Sequence, residues 1–225
     1  MLRTLARRRF LTHISTGAVV TPWWLSGGIS ATNCIAAYQP KGAASYAASK
    51  INLANPGTYD ATDGTAYPTW AALTGWSFNG LTQYLLTGIT PANGWSAIVR
   101  VANVANGGAA FGEGGIGNSW FGIRPARNGT TIQYMQGAVA NNASGQLVSG
   151  TVAIANQIGY KNGASDITGI GAWTGSAPRT IAVGTAQTTD FTTYIYQGDV
   201  LALAIYNTAL SGTVIGLLHT AIMAL

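Results

Sequence analysis

The chain has 225 residues, of which 48% are hydrophobic and only 8% charged, against about a quarter charged in ordinary soluble domains, so Thr, Ser, Asn, Gln and Gly must cover its surface. The formal net charge is +5, but Arg3, Arg7, Arg8 and Arg9 supply four of the eleven basic residues and leave seven basic against six acidic, or +1. A near-neutral body is no basic stripe for nucleic acid, the single Cys34 excludes an intrachain disulfide, and no apolar run approaches the roughly 20 residues that span a bilayer.

Residues 1–31 read as an N-terminal arm. Arg7-Arg8-Arg9-Phe10-Leu11 is similar to part of a twin-arginine export signal. The stretch after it, 12–22, is too polar and too short for an apolar signal region, and no A-x-A-like cleavage site follows. A terminal block of like charge points instead to an interaction arm. The adjacent Trp23 and Trp24 need burial, either on the body of the protein or in a neighbouring subunit. Arg3, Arg7, Arg8, Arg9, Trp23 and Trp24 are therefore the expected anchoring residues.

The body, 32–225, reads as β structure. Cys34-Ile35-Ala36-Ala37-Tyr38 predicts a first strand, ended at Pro40. The Ala-rich stretch 43–52 suits a short helix or an irregular excursion, and Asn55-Pro56-Gly57 and Asp63-Gly64 are turn signals. A hairpin-like passage begins at Trp76. From Gly94 onward short apolar segments recur at 95–104, 109–112, 120–123, 130–135, 148–154, 157–160 and 180–184, with glycine-rich turns between them. That spacing predicts an all-β sandwich or barrel. The uncharged run Val200-Leu201-Ala202-Leu203-Ala204-Ile205-Tyr206 predicts a strand buried on both faces. Behind it Ser211 is a helix N-cap, and Val214, Ile215, Leu217, Leu218, Ile222 and Leu225 recur at roughly helical spacing.

The chemistry-bearing residues are few. Glycosidases hold two carboxyl groups across one bond, yet Glu113 is the only glutamate and sits alone in Gly112-Glu113-Gly114-Gly115, which reads as a flexible turn. His219 lies among apolar helix residues and suits a structural role, as Cys34 suits a small buried apolar one. No cofactor is expected. Calcium, which wants six to eight oxygens, would have to use Asp60 and Asp63 or Asp166, residues that equally serve as turn formers. Sugar contact needs aromatic faces on loops; Trp120, Trp173 and Tyr134 are the candidates, with Trp173 the least core-like.

Several segments carry a family resemblance in a fixed order. Trp76-Ser77-Phe78-Asn79-Gly80-Leu81-Thr82-Gln83-Tyr84-Leu85 resembles an early F-D/N-G-x-x-x-Y hairpin, and Trp95-Ser96-Ala97-Ile98-Val99-Arg100-Val101 the core strand after it. Gln157-Ile158-Gly159-Tyr160-Lys161-Asn162-Gly163 resembles an x-Y-x-N-G hairpin, and Ile181-Ala182-Val183-Gly184 an l-x-I-G strand. Gly198 to Ser211 resembles the closing strand and turn. Together these segments are similar to the concanavalin A-like lectin/glucanase superfamily in its laminin G-like form, over about residues 32–225. The resemblance implies an antiparallel jelly-roll sandwich. The glucanase members' E-x-D-x-E strand is absent here, so a non-enzymatic protein is expected. The expectation placed first is a structural or adhesion protein on a phage virion surface, a capsid decoration or tail-associated subunit, fastened to other subunits of an oligomer or array by its arm. The alternative is a carbohydrate-binding, lectin-like, extracellular module, and the third a glycoside hydrolase.

Overall fold

Among the described residues, β-branched and aromatic residues alternating across short segments form fifteen strands. In chain order they are β1 (Cys34–Tyr38), β2 (Thr62–Asp63), β3 (Thr69–Ala71), β4 (Gly75–Asn79), β5 (Leu85–Leu86), β6 (Ser96–Ala102), β7 (Phe111–Glu113) and β8 (Trp120–Arg127). They continue with β9 (Thr131–Gly137), β10 (Val139–Ser144), β11 (Gly150–Ala155), β12 (Ile158–Lys161), β13 (Ala164–Thr168), β14 (Ala182–Val183) and β15 (Gln197–Tyr206). Two helices, α1 (Tyr46–Ser49) and α2 (Gly212–Met223), complete the set with two single 3-10 turns. The computed structural model describes residues 21–114, 119–137, 139–171, 173, 176–186, 191 and 193–225.

The strands build two antiparallel sheets. One is eight-stranded, in the order β13-β12-β11-β6-β15-β4-β3, with β1 also paired to β15. The other is seven-stranded, in the order β10-β9-β8-β7-β14-β5-β2. β15 is the centre of the larger sheet. One of its edges runs along β6, while the other is shared between β4 at residues 197–200 and β1 at residues 203–206. A register shift between Val200 and Ala202 inserts Leu201 as a bulge, which lets Val200 and Leu203 both face the space between the sheets.

That space holds the main core, with Tyr38, Trp76, Phe111, Phe121, Tyr134, Val152, Leu203 and Ile205 among its members. The outer face of the eight-stranded sheet is lined by small residues, Ala37, Ala153, Ala202 and Ala204, and by Tyr206. Ile215, Leu218 and Ile222 of α2 pack against it. The apolar run 200–206 is thus covered on both faces, by the second sheet and by the helix, as its composition predicts. The Ser211 hydroxyl caps α2 by accepting from the Val214 N–H at 3.4 Å. No helix among the described residues is long and apolar enough to cross a membrane.

Residues 21–31, assigned to the arm from sequence, lie against this helix. Trp23 is buried among Leu210, Ile215, Leu218 and Ile222, its ring edge-on to Trp24 at 5.8 Å, and its indole N–H donates to Gln39 Oε1 at 3.0 Å. Tyr206 donates its hydroxyl to the Trp24 carbonyl at 2.9 Å. The two tryptophans close the outer core of their own chain, because α2 alone leaves part of the alanine-lined face uncovered. Arg3, Arg7, Arg8 and Arg9 lie outside the described residues.

Candidate functional site

The outer face of the seven-stranded sheet is organised differently from its inner one. Along β8, Phe121 and Ile123 enter the main core, so Trp120, Gly122 and Arg124 point the other way. Gly112 and Gly122 meet back to back in this outer row; a Cβ at Gly122 would lie 2.7 Å from Gly112 Cα. The bare backbone lets the segment after β14 lie close, with Ala186 buried beside Met135 and Ala109 and with Trp120 and Tyr194 packed over them. Thr185 ties the segment's ends together by donating its hydroxyl to the Thr193 carbonyl at 2.9 Å.

Two aromatic residues of this segment sit in the left-handed backbone region, Phe191 at φ 54° and Tyr194 at φ 63°. Bulky side chains rarely adopt it, at a cost of the order of 1 kcal/mol or more each. Ring contacts hold them there. Phe191 stacks on Tyr84 with centroids 4.5 Å apart and 5° between planes. Tyr194 meets Trp120 edge-on at 5.8 Å and carries the Arg124 guanidinium 4.7 Å from its ring centroid.

Beside this cluster opens a cleft of about 490 Å³, bounded by Leu81, Gly107, Gly108, Arg124, Thr193 and Tyr194. Arg124 is fixed in it: Nε donates to the Gly107 carbonyl and Nη1 to Gln133 Oε1 at 3.0 Å. Partial burial lowers its pKa from the usual guanidinium value; Tyr194 opposes that shift and Arg127 adds to it. Asn106 braces the opposite wall by donating to the Ile195 carbonyl and accepting from the Gly108 and Gln197 N–H groups. Leu81 stands on the rim, 73% exposed. The arrangement offers an aromatic edge, a planar cation held rigid and an exposed apolar rim.

Sequence reasoning named Trp120, which belongs to this cluster, but missed Arg124 and Tyr194. An arginine interrupting the apolar run from Trp120 to Ala126 was the available signal for Arg124. Tyr194 resembled the start of β15, and only the fold turns it over the other sheet. The remaining candidates are corrected by the core. Tyr134 is fully buried and donates its hydroxyl to Asp166 Oδ2 at 3.0 Å. Trp173, expected on a loop, is 7% exposed and packed in the main core. Both are oriented by the packing of the sandwich and present no ring to solvent.

The weak calcium candidates are engaged elsewhere. Asp60 Oδ1 accepts from the Asn52 and Gly57 N–H groups. Asp63 forms an ion pair with Lys50 at 2.9 Å and accepts from Tyr46. Asp166 accepts from Tyr134. Among the described residues no group of three or more His, Cys, Asp or Glu could hold a metal ion.

Glu113, expected in a flexible turn, ends strand β7 opposite Phe121 and is fully buried. Neither carboxyl oxygen has a hydrogen-bond partner of good geometry among the described residues. Burial pushes its pKa from 4.5 up to about 7, an effect that Arg179 and its backbone N–H offset only in part. His219 Nδ1 lies 2.8 Å from the Thr151 hydroxyl, and burial pushes the Cys34 thiol up to about 12.

No family profile matches the sequence, and no curated protein matches it. Solved structures do share its fold. Domain 4 of AbnA, a GH43 extracellular arabinanase from Geobacillus stearothermophilus solved in complex with arabinotriose, superposes with a TM-score of 0.58 at 15% identity, over 83% of this chain and 98% of that one. Trypanosoma rangeli sialidase, solved as a covalent intermediate with 2,3-difluorosialic acid, superposes with a TM-score of 0.59 at 13% identity, over 84% of this chain. A mutant of that sialidase displaying trans-sialidase activity gives 0.57 at 14%. The chain spans about a third of the sialidase, 32% and 34% of the two structures. Identities this low establish the β-sandwich fold alone. The expectation of a phage virion protein is withdrawn on this finding: the neighbours are domains of glycoside hydrolase and sialidase chains, not virion subunits.

Proposed function

We propose that this chain is a carbohydrate-binding module on a concanavalin A-like sandwich, with its binding surface in the cleft beside Tyr194. The observation that carries the reading is the Trp120–Tyr194–Arg124 stack. The Tyr194 ring and a fixed guanidinium line one wall of the cleft, with Trp120 packed against Tyr194 from the side, on a segment that keeps Tyr194 at a costly backbone angle. Strain held by surrounding packing at a surface cleft points to a functional constraint. Sugars present C–H faces to aromatic rings and hydroxyls to planar polar groups, and such a wall offers both. The neighbouring arabinanase domain, solved with arabinotriose, adds support by analogy of fold only.

The same cleft favours binding without turnover. No carboxyl group lines it among the described residues, and hydrolysis by the usual glycosidase route needs two. Glu113 points into the core from β7 and so does not serve the cleft.

The test is isothermal titration of the purified chain with arabinotriose, sialyllactose, galacturonate oligomers and their neutral counterparts, repeated on Arg124→Ala and Tyr194→Ala. Saturable binding that both substitutions weaken, with Trp173→Phe leaving it intact, is the expected result. An absence of binding to every glycan offered, or binding indifferent to both substitutions, overturns the proposal.

A further inference from the structure

Granting that the cleft is a sugar site, its charge specifies which sugars. Arg124 is a half-buried cation with no carboxylate partner among the described residues. The ion pair found among the described residues is Lys50–Asp63, on another part of the surface. Of the other acidic residues described, Asp60 caps backbone N–H groups, Asp166 is bound by Tyr134, and Asp199 accepts from Ser77 at 2.5 Å and Asn103 at 2.7 Å. Glu113 faces the core. Asp190 lies outside the described residues. Among the described residues, the charged neighbour that acts on Arg124 is Arg127, of the same sign.

The guanidinium also keeps part of its donor set unused. Gly107 and Gln133 take the Nε–H and one Nη1–H, and the guanidinium carbon lies over the Tyr194 ring, 4.7 Å from its centroid. Nη2 makes no hydrogen bond among the described residues, and beside it the wall is bare backbone: a Cβ at Gly107 would come within 3.2 Å of Nη2. The unused donors are thus the remaining Nη1–H and both Nη2–H groups, the end of the fork that takes a carboxylate through two parallel bonds. Pairing such a cation repays the desolvation that its site imposes.

We infer that the cleft selects a carboxylate-bearing sugar, a uronic or sialic acid residue, with Arg124 gripping the carboxylate and Tyr194 and Leu81 meeting the ring and its substituents. Sialic and uronic acids share this chemistry and differ in the bulk around it.

The experiment compares wild-type affinity for two pairs of probes, sialyllactose against lactose and trigalacturonate against its methyl ester, each pair at low and at high salt. The acid of at least one pair should bind on the order of tenfold more tightly than its neutral partner, since charge-assisted hydrogen bonds are roughly twice as strong as neutral ones. The preference should shrink at high salt and vanish in Arg124→Gln, whose folding is checked by its thermal melt. Which pair shows the preference separates the sialic from the uronic source. The ester comparison needs no variant and so stands even if Arg124→Gln fails to fold. Neutral sugars binding as well as their acids would overturn this inference and leave the carbohydrate-binding reading standing. Binding of no glycan at all would remove both.

Discussion

Replacing Glu113 by Gln should make the folded chain more stable at alkaline pH, and the size of the gain follows from the burial of the carboxyl. Its pKa rises from 4.5 to about 7 in the folded state, so the folded chain holds a proton that the unfolded chain has released. Between those values stability falls as pH rises, because the folded state binds more protons. Below about 4.5 the group costs nothing by this route; above about 7 the loss is complete. At roughly 1.4 kcal/mol per unit the full loss is about 3 kcal/mol, an upper figure if water reaches the carboxyl. Glutamine keeps the shape and removes the charge. Urea unfolding of both proteins at about pH 4 and about pH 8 measures the effect, and other carboxylates cancel in the comparison. The wild type should lose about 3 kcal/mol more than the variant across that interval. Identical pH dependence in the two proteins would refute the reasoning and mean that Glu113 is ionised and satisfied where it stands.

Trp23→Ala should cost about 3 kcal/mol in urea unfolding, the usual penalty for emptying a buried tryptophan site; a change below 0.5 kcal/mol would detach residues 21–31 from the outer core. Gly108→Ala places a Cβ 2.0 Å from the Ile195 carbonyl oxygen, so it should lower the melting temperature and weaken glycan binding together, read by calorimetry and titration on one sample. Ser211→Ala removes the cap of α2 and should cost about 1 kcal/mol, with glycan affinity unchanged. The Cys34 thiol, raised to about 12 and buried, should resist thiol reagents at neutral pH until the chain is unfolded.

Much of the sandwich was legible because burial on both faces leaves a compositional mark. The run 200–206 is apolar throughout, and its two coverings are the second sheet and α2. Trp95 to Val104 contains β6, and 148–154 overlaps β11, for the same reason. The strands that went unread sit at sheet edges. β13 is Ala164-Ser165-Asp166-Ile167-Thr168, a largely exposed edge beside β12, and β10 is Val139-Ala140-Asn141-Asn142-Ala143-Ser144, with valine its only large apolar residue. An edge strand is held by backbone pairing on one side, which places little demand on its side chains. The site was less legible still. Trp120 could be named from its type, but Arg124 acquires meaning only when β8 turns it outward and a segment some seventy residues later lays Tyr194 across it. Trp173 misled because glycine neighbours suggested a loop, whereas the ring is spent on packing.

The place of β15 at the middle of the larger sheet has a consequence for how the protein comes into being. β1, β4 and β6 all pair with it, and all three are made long before residues 197–206 leave the ribosome. Until then each offers an unsatisfied strand edge to any partner nearby, and contacts so distant along the chain form slowly. Synthesis is therefore the period of greatest exposure to aggregation, and chains cut short before Gln197 should accumulate as insoluble material while full-length ones fold.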